Sequence, residues 1–387
     1  MPIEIGRNRT ARQSYGFDDV ALIPGRRTVD PQDTEIKLKI GDIELELPIL
    51  AAAMDGCVDV RLAVEMHKLG ALAVLNLQGL QTKYENPEDA LEKIRKAPKD
   101  EVTEVLQNLY MAPVKLNLIE KRVGEMKDAG IIACASVTPQ YAKTYGDIAC
   151  KTGLDILCLQ STVVSLEHQS SKFSSLNLPD FCADCDLPVI IGNTVSYHVA
   201  LEQMRAGAAA ILVGIGPGAT CTTRGVLGVG SGQITATADA SAARDEYHKE
   251  SGKYIPVITD GGIGRGGEVV KAFAAGADGV MIGSPISRAE ESPGCGFNWG
   301  MAAPHPTLPR GTRVEVGVLG KLEQILLGPA TGRDDGALNL VGALREAMGL
   351  LGCRTIKELQ KVEIVIAPSF MTEGKALQIS QQVGMGR

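Results

Sequence analysis

The stretch that decides the fold is Met204-Arg205-Ala206-Gly207-Ala208-Ala209-Ala210-Ile211-Leu212-Val213-Gly214-Ile215-Gly216-Pro217-Gly218. A helical end closes on Gly207, a residue that can take the left-handed conformation terminating a helix. A short, unbroken apolar run follows at 210–213. A loop of glycine and proline comes next. Unbroken runs suit strands buried on both faces, as in a parallel sheet. The same order recurs elsewhere. Met66-His67-Lys68-Leu69-Gly70, Met126-Lys127-Asp128-Ala129-Gly130 and Phe273-Ala274-Ala275-Gly276 each precede another run. The runs lie at 48–52, 71–75, 131–135, 156–159, 188–191, 210–213, 256–259 and 279–282. Eight βα repeats predict an α/β chain folded as a (β/α)8 TIM barrel, ahead of an open doubly wound sheet.

The whole chain of 387 residues is read as one barrel domain, 1–387. Two intervals depart from the repeat. Residues 81–100 are rich in Lys, Glu and Pro and read as exposed helix and charged linker. Residues 284–320 hold several prolines and glycines and read as a long mobile flap after the eighth strand, a length that is usually functional. The tail after Val362 reads as poorly packed. Glycine makes up 44 of 387 residues, about 11% against the usual 7% or so, which implies many tight turns or close backbone approaches.

The net charge is −7, and no Lys/Arg cluster is dense enough for a nucleic-acid footprint. No apolar run approaches the ~20 residues that span a bilayer, so no membrane contact is expected. Met1-Pro2-Ile3-Glu4-Ile5-Gly6-Arg7 has no apolar core of a secretory signal. Nine cysteines without such a signal predict free thiols in a reducing cytoplasm.

In such a barrel the active site lies at the carboxyl ends of the strands. Met54-Asp55-Gly56 follows the first run, Gly192-Asn193 the fifth, Asp260-Gly261-Gly262 the seventh and Gly283-Ser284 the eighth. The last two resemble a phosphate cradle, because small residues let backbone N–H groups approach an anion. Asp260 beside them is an acceptor for ribose hydroxyls. After the sixth run, Cys221 follows three glycines and a proline and is flanked by threonines. A loop thiol in that setting can be a nucleophile. The bland alternative is a small buried residue. Cys134 and Cys158 fall in strands and read as core. Cys182 and Cys185 form a C-x-x-C without the second pair that a zinc site needs, and read as surface thiols. Cys295 in the flap could approach Cys221. His305 in Pro304-His305-Pro306 is a candidate base.

With Met54-Asp55, Gly214-Ile215-Gly216-Pro217-Gly218, Cys221-Thr222-Thr223 and Asp260-Gly261-Gly262 in place, the sequence resembles the IMP dehydrogenase/GMP reductase family. The likeness runs from about Tyr15 to Glu363. It implies an NAD-dependent dehydrogenase of guanine nucleotide synthesis. Cys221 would attack C2 of IMP, hydride would pass to NAD, and water would release XMP. It also implies that Asp260 and Asn193 hold the nucleotide, that Gly262, Gly283 and Ser284 bind phosphate, and that Met54, Met301 and Gly311 contact the base region. Thr223 would lie near the cysteine and the nicotinamide. Gln160, Ser161 and Gly214 would face the cofactor. Gly216, Gly218 and Cys221 would offer carbonyls to a potassium ion (K+). The expected assembly is a cytoplasmic homotetramer, or tetramers paired into an octamer.

Several positions depart from the family pattern. The regulatory CBS-module pair is absent, with only residues 81–100 in its place. Gln160 stands where an aspartate usually meets cofactor ribose. Ala219 replaces a phosphate-binding serine, and Ala52 a serine near the base. The Arg-Tyr pair that activates water is missing, so His305, Arg310 and Arg313 are the candidates for that work. GMP reductase is the close rival, since it shares the cysteine loop through Arg224. Cys295 stands where the reductase has a glutamate. A non-catalytic purine nucleotide-binding barrel and a flavin barrel are the readings from other classes.

Overall fold

The computed structural model describes residues 2–171, 175–300, 312–367 and 375–384. Its centre is a parallel barrel. The strands are β1 (Ile49–Ala51), β2 in two pieces (Leu72–Ala73 and Leu75–Asn76), β3 (Cys134–Val137), β4 (Ile156–Gln160), β5 (Val189–Thr194), β6 (Ala210–Val213), β7 (Val257–Asp260) and β8 (Gly279–Ile282). β8 pairs with β1, and β2 closes the ring by pairing with β1 through its first piece and with β3 through its second. All eight runs read from the sequence are therefore barrel strands.

Each strand is followed by a helix: α1 (Val60–Lys68), α2 (Leu116–Asp128), α3 (Asp147–Lys151), α4 (Leu178–Asp184), α5 (Tyr197–Arg205), α6 (Gln233–Ser251), α7 (Gly266–Ala274) and α8 (Leu340–Leu351). Gly70, Gly130, Gly207 and Gly276, which precede strands, all have positive φ, between 70° and 112°. The continuous runs are explained by two apolar layers. Leu50, Cys134, Ile156, Cys158, Ile190, Leu212, Ile258 and Met281 fill the barrel interior. Their neighbours, such as Ile191 and Ile211, face the helices. A hairpin of Leu38–Ile40 and Ile43–Leu45 adds Leu38, Ile40 and Leu45 to the interior layer.

Three regions correct the sequence reading. Residues 81–100 hold the helix expected there, but one of its faces is buried, so they are not an exposed linker. They lie in helices Leu80–Lys83 and Pro87–Lys96, which with Val102–Tyr110 form an insert around their own apolar cluster. Leu91 and Ile94 are inward, and Glu85, Glu88, Glu92, Lys93 and Lys96 lie on the outer face, while Lys83 is buried. The 284–320 interval is not one irregular loop. It holds a short helix, Ser284–Ser287, and an antiparallel pair, Phe297–Trp299 with Arg313–Glu315. Trp299 is buried in the cluster of the insert, so the pair is anchored there. The tail is not loose from Val362 onward either. Glu363–Ile366 pairs antiparallel with Val20–Ile23.

Candidate active site

The loops at the carboxyl ends of the strands enclose a cavity of about 660 Å³, within the range of small-molecule and cofactor sites. Thirteen expected residues line it together: Met54, Gln160, Ser161, Asn193, Gly214, Gly216, Gly218, Cys221, Thr223, Asp260, Gly262, Gly283 and Ser284. Met301, His305, Arg310 and Gly311 lie outside the described residues.

The sixth loop sets the cysteine. Gly214 has φ 149°, and a Cβ there would sit 2.2 Å from the Asp260 carbonyl oxygen. Only glycine lets the β6 and β7 ends come that close. Gln233 Nε2 bridges them, donating to the carbonyls of Val213 at 2.6 Å and Asp260 at 3.2 Å. The Cys221 N–H donates to the Gly218 carbonyl at 3.0 Å, closing the loop. The Cys221 thiol is exposed and donates to the buried Thr223 hydroxyl at 3.3 Å. The hydroxyl can reverse that bond and donate to a thiolate.

The ends of β4, β5 and β7 build a polar triad. Asp260 Oδ2 accepts from Asn193 Nδ2 at 2.7 Å and from Gln160 Nε2 at 3.1 Å. Burial pushes the Asp260 carboxyl up from 3.8 to about 6, against the pull of those two bonds. Gln160 Oε1 is buried without a hydrogen-bond partner among the described residues. Gln160 thus points its amide nitrogen at the same carboxylate as Asn193, while its carbonyl oxygen is buried and unpaired among the described residues.

The cradle has two halves. Gly261 and Gly262 have φ 84° and 78°, conformations that a side chain would strain. Gly283 packs against Met54, where a Cβ would meet the sulfur at 3.1 Å. Cys57 ties these loops together, its buried thiol lying 3.1 Å from the Ser287 hydroxyl. Burial pushes that thiol up to about 12, so it stays protonated.

Sequence reasoning missed Asp18, Thr162, Arg265, Glu268, Arg288 and Asn298 on the cavity wall. Thr162 is next to Ser161 at the end of β4, whereas the others sit away from the residues immediately after the strands, and only folding brings them in. It also missed a buried network behind Met54. Asp55 Oδ2 accepts from Tyr110 Oη at 2.5 Å, and Tyr110 Oη accepts from Trp299 Nε1 at 2.8 Å. Burial raises Asp55 to about 6. The insert between β2 and β3 therefore touches both the β1 loop and the strand leading out toward residue 301.

Other candidates fall elsewhere. Cys134 and Cys158 are in the barrel core. Cys295 is exposed in a tight turn, and its thiol donates to the Ser292 carbonyl at 3.6 Å rather than to Cys221. Cys182 and Cys185 are half-buried, and the Cys185 thiol bonds that of Cys150, not Cys182. Arg313 is not in the cavity. Its guanidinium donates to the Ile94 and Arg95 carbonyls of the insert and stacks 4.4 Å from the Phe297 ring centre. That corrects its reading as a water-activating residue.

Among the described residues no helix is long and apolar enough to cross a membrane. No cluster of His, Cys, Asp and Glu suited to a metal occurs among them.

Residues 14–300 match the family described as IMP dehydrogenase / GMP reductase domain. An uncharacterized oxidoreductase of Mycolicibacterium smegmatis is 38% identical over 375 residues, covering 94% of this chain and 99% of that protein. The inosine-5'-monophosphate dehydrogenase of Cryptosporidium parvum is 29% identical over 386 residues, covering 89% of this chain and 90% of that enzyme. A crystal structure of an IMP dehydrogenase/GMP reductase-like protein from Corynebacterium glutamicum superposes with a TM-score of 0.89 at 36% identity, covering 94% of this chain and 97% of that one. A cysteine loop, a buried carboxylate and glycine-rich loops on one barrel face agree with these likenesses, and the chain belongs to the IMP dehydrogenase/GMP reductase family of oxidoreductases.

Proposed function

We propose that this protein oxidises IMP to XMP in guanine nucleotide synthesis. The observation that carries the reading is the exposed Cys221 thiol, bonded to Thr223 on the wall of the cavity that also holds Asp260 and the glycine cradle. The Cys221 sulfur adds to C2 of the hypoxanthine ring. The C2 hydrogen departs with its electron pair, leaving a thioimidate on the cysteine. Water then adds at C2 and the sulfur leaves. NAD, when bound, supplies the hydride acceptor. Ser161, Gly214 and the orphan acceptor of Gln160 are the residues of this cavity that would hold it.

Asp260 and Asn193 bind the ribose hydroxyls, and Gly262, Gly283 and Ser284 take the phosphate. Met54 packs against the base. The backbone carbonyls of Gly216, Gly218 and Cys221 are hard oxygen donors of the type a K+ ion takes. His305 and Arg310 are the candidates for activating water. The assembly in this reading is a homotetramer.

Two parallel assays test it. IMP with NAD+ should yield NADH, more strongly with K+ present, and GMP with NADPH should show no NADPH loss. Consumption of NADPH in the second mixture alone would make the protein a GMP reductase. Nucleotide-induced thermal stabilisation without turnover in either would make it a binding protein. In the first assay, His305→Ala or Arg310→Ala should slow the hydrolytic half-reaction. Full turnover in both variants would remove them from that role.

A further inference from the structure

We propose that Arg288 is a phosphate-recognition residue of this cavity, forming charge-assisted hydrogen bonds to the phosphomonoester of a mononucleotide. This rests on the nucleotide reading above but on a residue that reading does not use. Arg288 lies on the cavity wall, just beyond Gly283-Ser284. Its Nε is buried and has no hydrogen-bond partner among the described residues. It forms no ion pair among them either, whereas Arg333 is paired with Asp335 at 2.5 Å.

The electrostatics are those of a site awaiting an anion. Burial lowers the Arg288 pKa most and Arg333 lowers it next, while Asp335 pulls it back by more than Arg265 pushes it down. A half-buried guanidinium with an unused, buried donor is a cost to the folded chain. An anion relieves both parts of that cost. The Nε and one Nη of arginine form a planar fork that matches two phosphate oxygens.

The other charged groups of the wall suit this role less. Glu268 Oε2 is occupied by the N–H groups of Gly264 at 2.6 Å and Arg265 at 3.0 Å, which shapes the loop after β7. Asp260 is held by Asn193 and Gln160. The cavity thus offers a hydroxyl-binding carboxylate and, among its basic groups, a guanidinium with a free donor. A nucleoside 5'-phosphate carries both matching functions. The dinucleotide's pyrophosphate shares the phosphate chemistry, but Arg288 follows the β8 half of the glycine cradle, which favours the mononucleotide.

The test uses the full-length protein and Arg288→Ala, Arg288→Gln and Arg288→Lys. Thermal melting is followed with inorganic phosphate, against chloride at equal ionic strength. Wild type should be stabilised by phosphate, the Ala and Gln variants should lose that stabilisation, and Lys should keep part of it. In turnover, Arg288→Gln should raise KM for IMP roughly ten- to a hundredfold, the range of one hydrogen bond to a charged group. Its kcat and its KM for NAD+ should stay near wild type. Equal phosphate stabilisation in wild type and Arg288→Gln would overturn the proposal, as would none in wild type. So would a rise in KM for NAD+ in place of IMP. Melting is read without turnover. A protein inactive on IMP and GMP whose phosphate stabilisation still depends on Arg288 would sink the dehydrogenase reading and leave this one standing.

Discussion

Cys221 and Asp260 carry opposite kinds of information. Cys221 is exposed on a loop and contributes little to the core, so its substitution should act on chemistry alone. Cys221→Ser should lower kcat by roughly 10³-fold or more, while IMP still raises the melting temperature as in wild type. Loss of both would mean that the loop, not the thiol, had been damaged. Asp260 is a buried carboxyl whose rise from 3.8 to about 6 corresponds to roughly 3 kcal/mol of disfavoured charge. Here the folded state holds the proton more tightly than the unfolded one. Its contribution to stability is therefore lost as pH rises from about 4 through 6. Asp260→Asn should melt a few degrees higher than wild type at pH 8, and the gain should vanish near pH 4. A constant gain across that range would rule out ionisation as its source. The same variant should raise KM for the nucleotide, since binding wants the acceptor that folding disfavours.

Among the elements, the insert between β2 and β3 departs most from its expected form. Its composition is that of a charged linker, yet Leu91, Ile94, Leu106 and Trp299 share one apolar cluster. Through Tyr110 it holds Asp55 on one side and Trp299 on the other. Tyr110→Phe removes the donor to Asp55 and the acceptor of Trp299, leaving buried polar groups unpaired. The expected cost is about 1–3 kcal/mol in urea unfolding, with a lowered kcat because Met54 and the strand before residue 301 lose their common anchor. An unchanged kcat with reduced stability would confine the network to a structural role. Asp260 and the cradle were legible because each follows an apolar run directly, and Cys221 because it ends the glycine-proline loop after the sixth run. The Asp55–Tyr110–Trp299 contact was not, since its members are 55 and 189 residues apart and share no local pattern.

Across the whole molecule, the carboxyl-terminal part is fastened to the barrel by a buried ion cluster. Asp278, just before β8, accepts from Arg244 of α6 at 2.8 Å, Lys357 at 2.6 Å, Tyr254 Oη at 2.7 Å and Gln360 at 3.0 Å. Arg244→Leu leaves that carboxylate with Lys357 as its remaining cation and should cost about 1–3 kcal/mol, the range for a lost buried charge-assisted bond. Arg244→Leu combined with Asp278→Leu should cost clearly less than the two single effects summed, as urea denaturation would read. Strict additivity would mean that the ion pair is incidental.

The amino-acid sequence by itself determined the barrel, because burial on both faces forces continuous apolar runs and helix ends force glycine with positive φ. It also determined which loops line the cavity, because strand ends are marked by those same runs. Tertiary structure alone decided what the long intervals do. Whether a charged helix lies free or packs depends on a partner surface, and here that surface is Trp299, more than 190 residues from the helix. Only folding likewise brought Arg288 to the wall of the cavity that Asp260, Asn193 and Gln160 also line. Its unspent donor is a property of its surroundings, which no local spacing encodes.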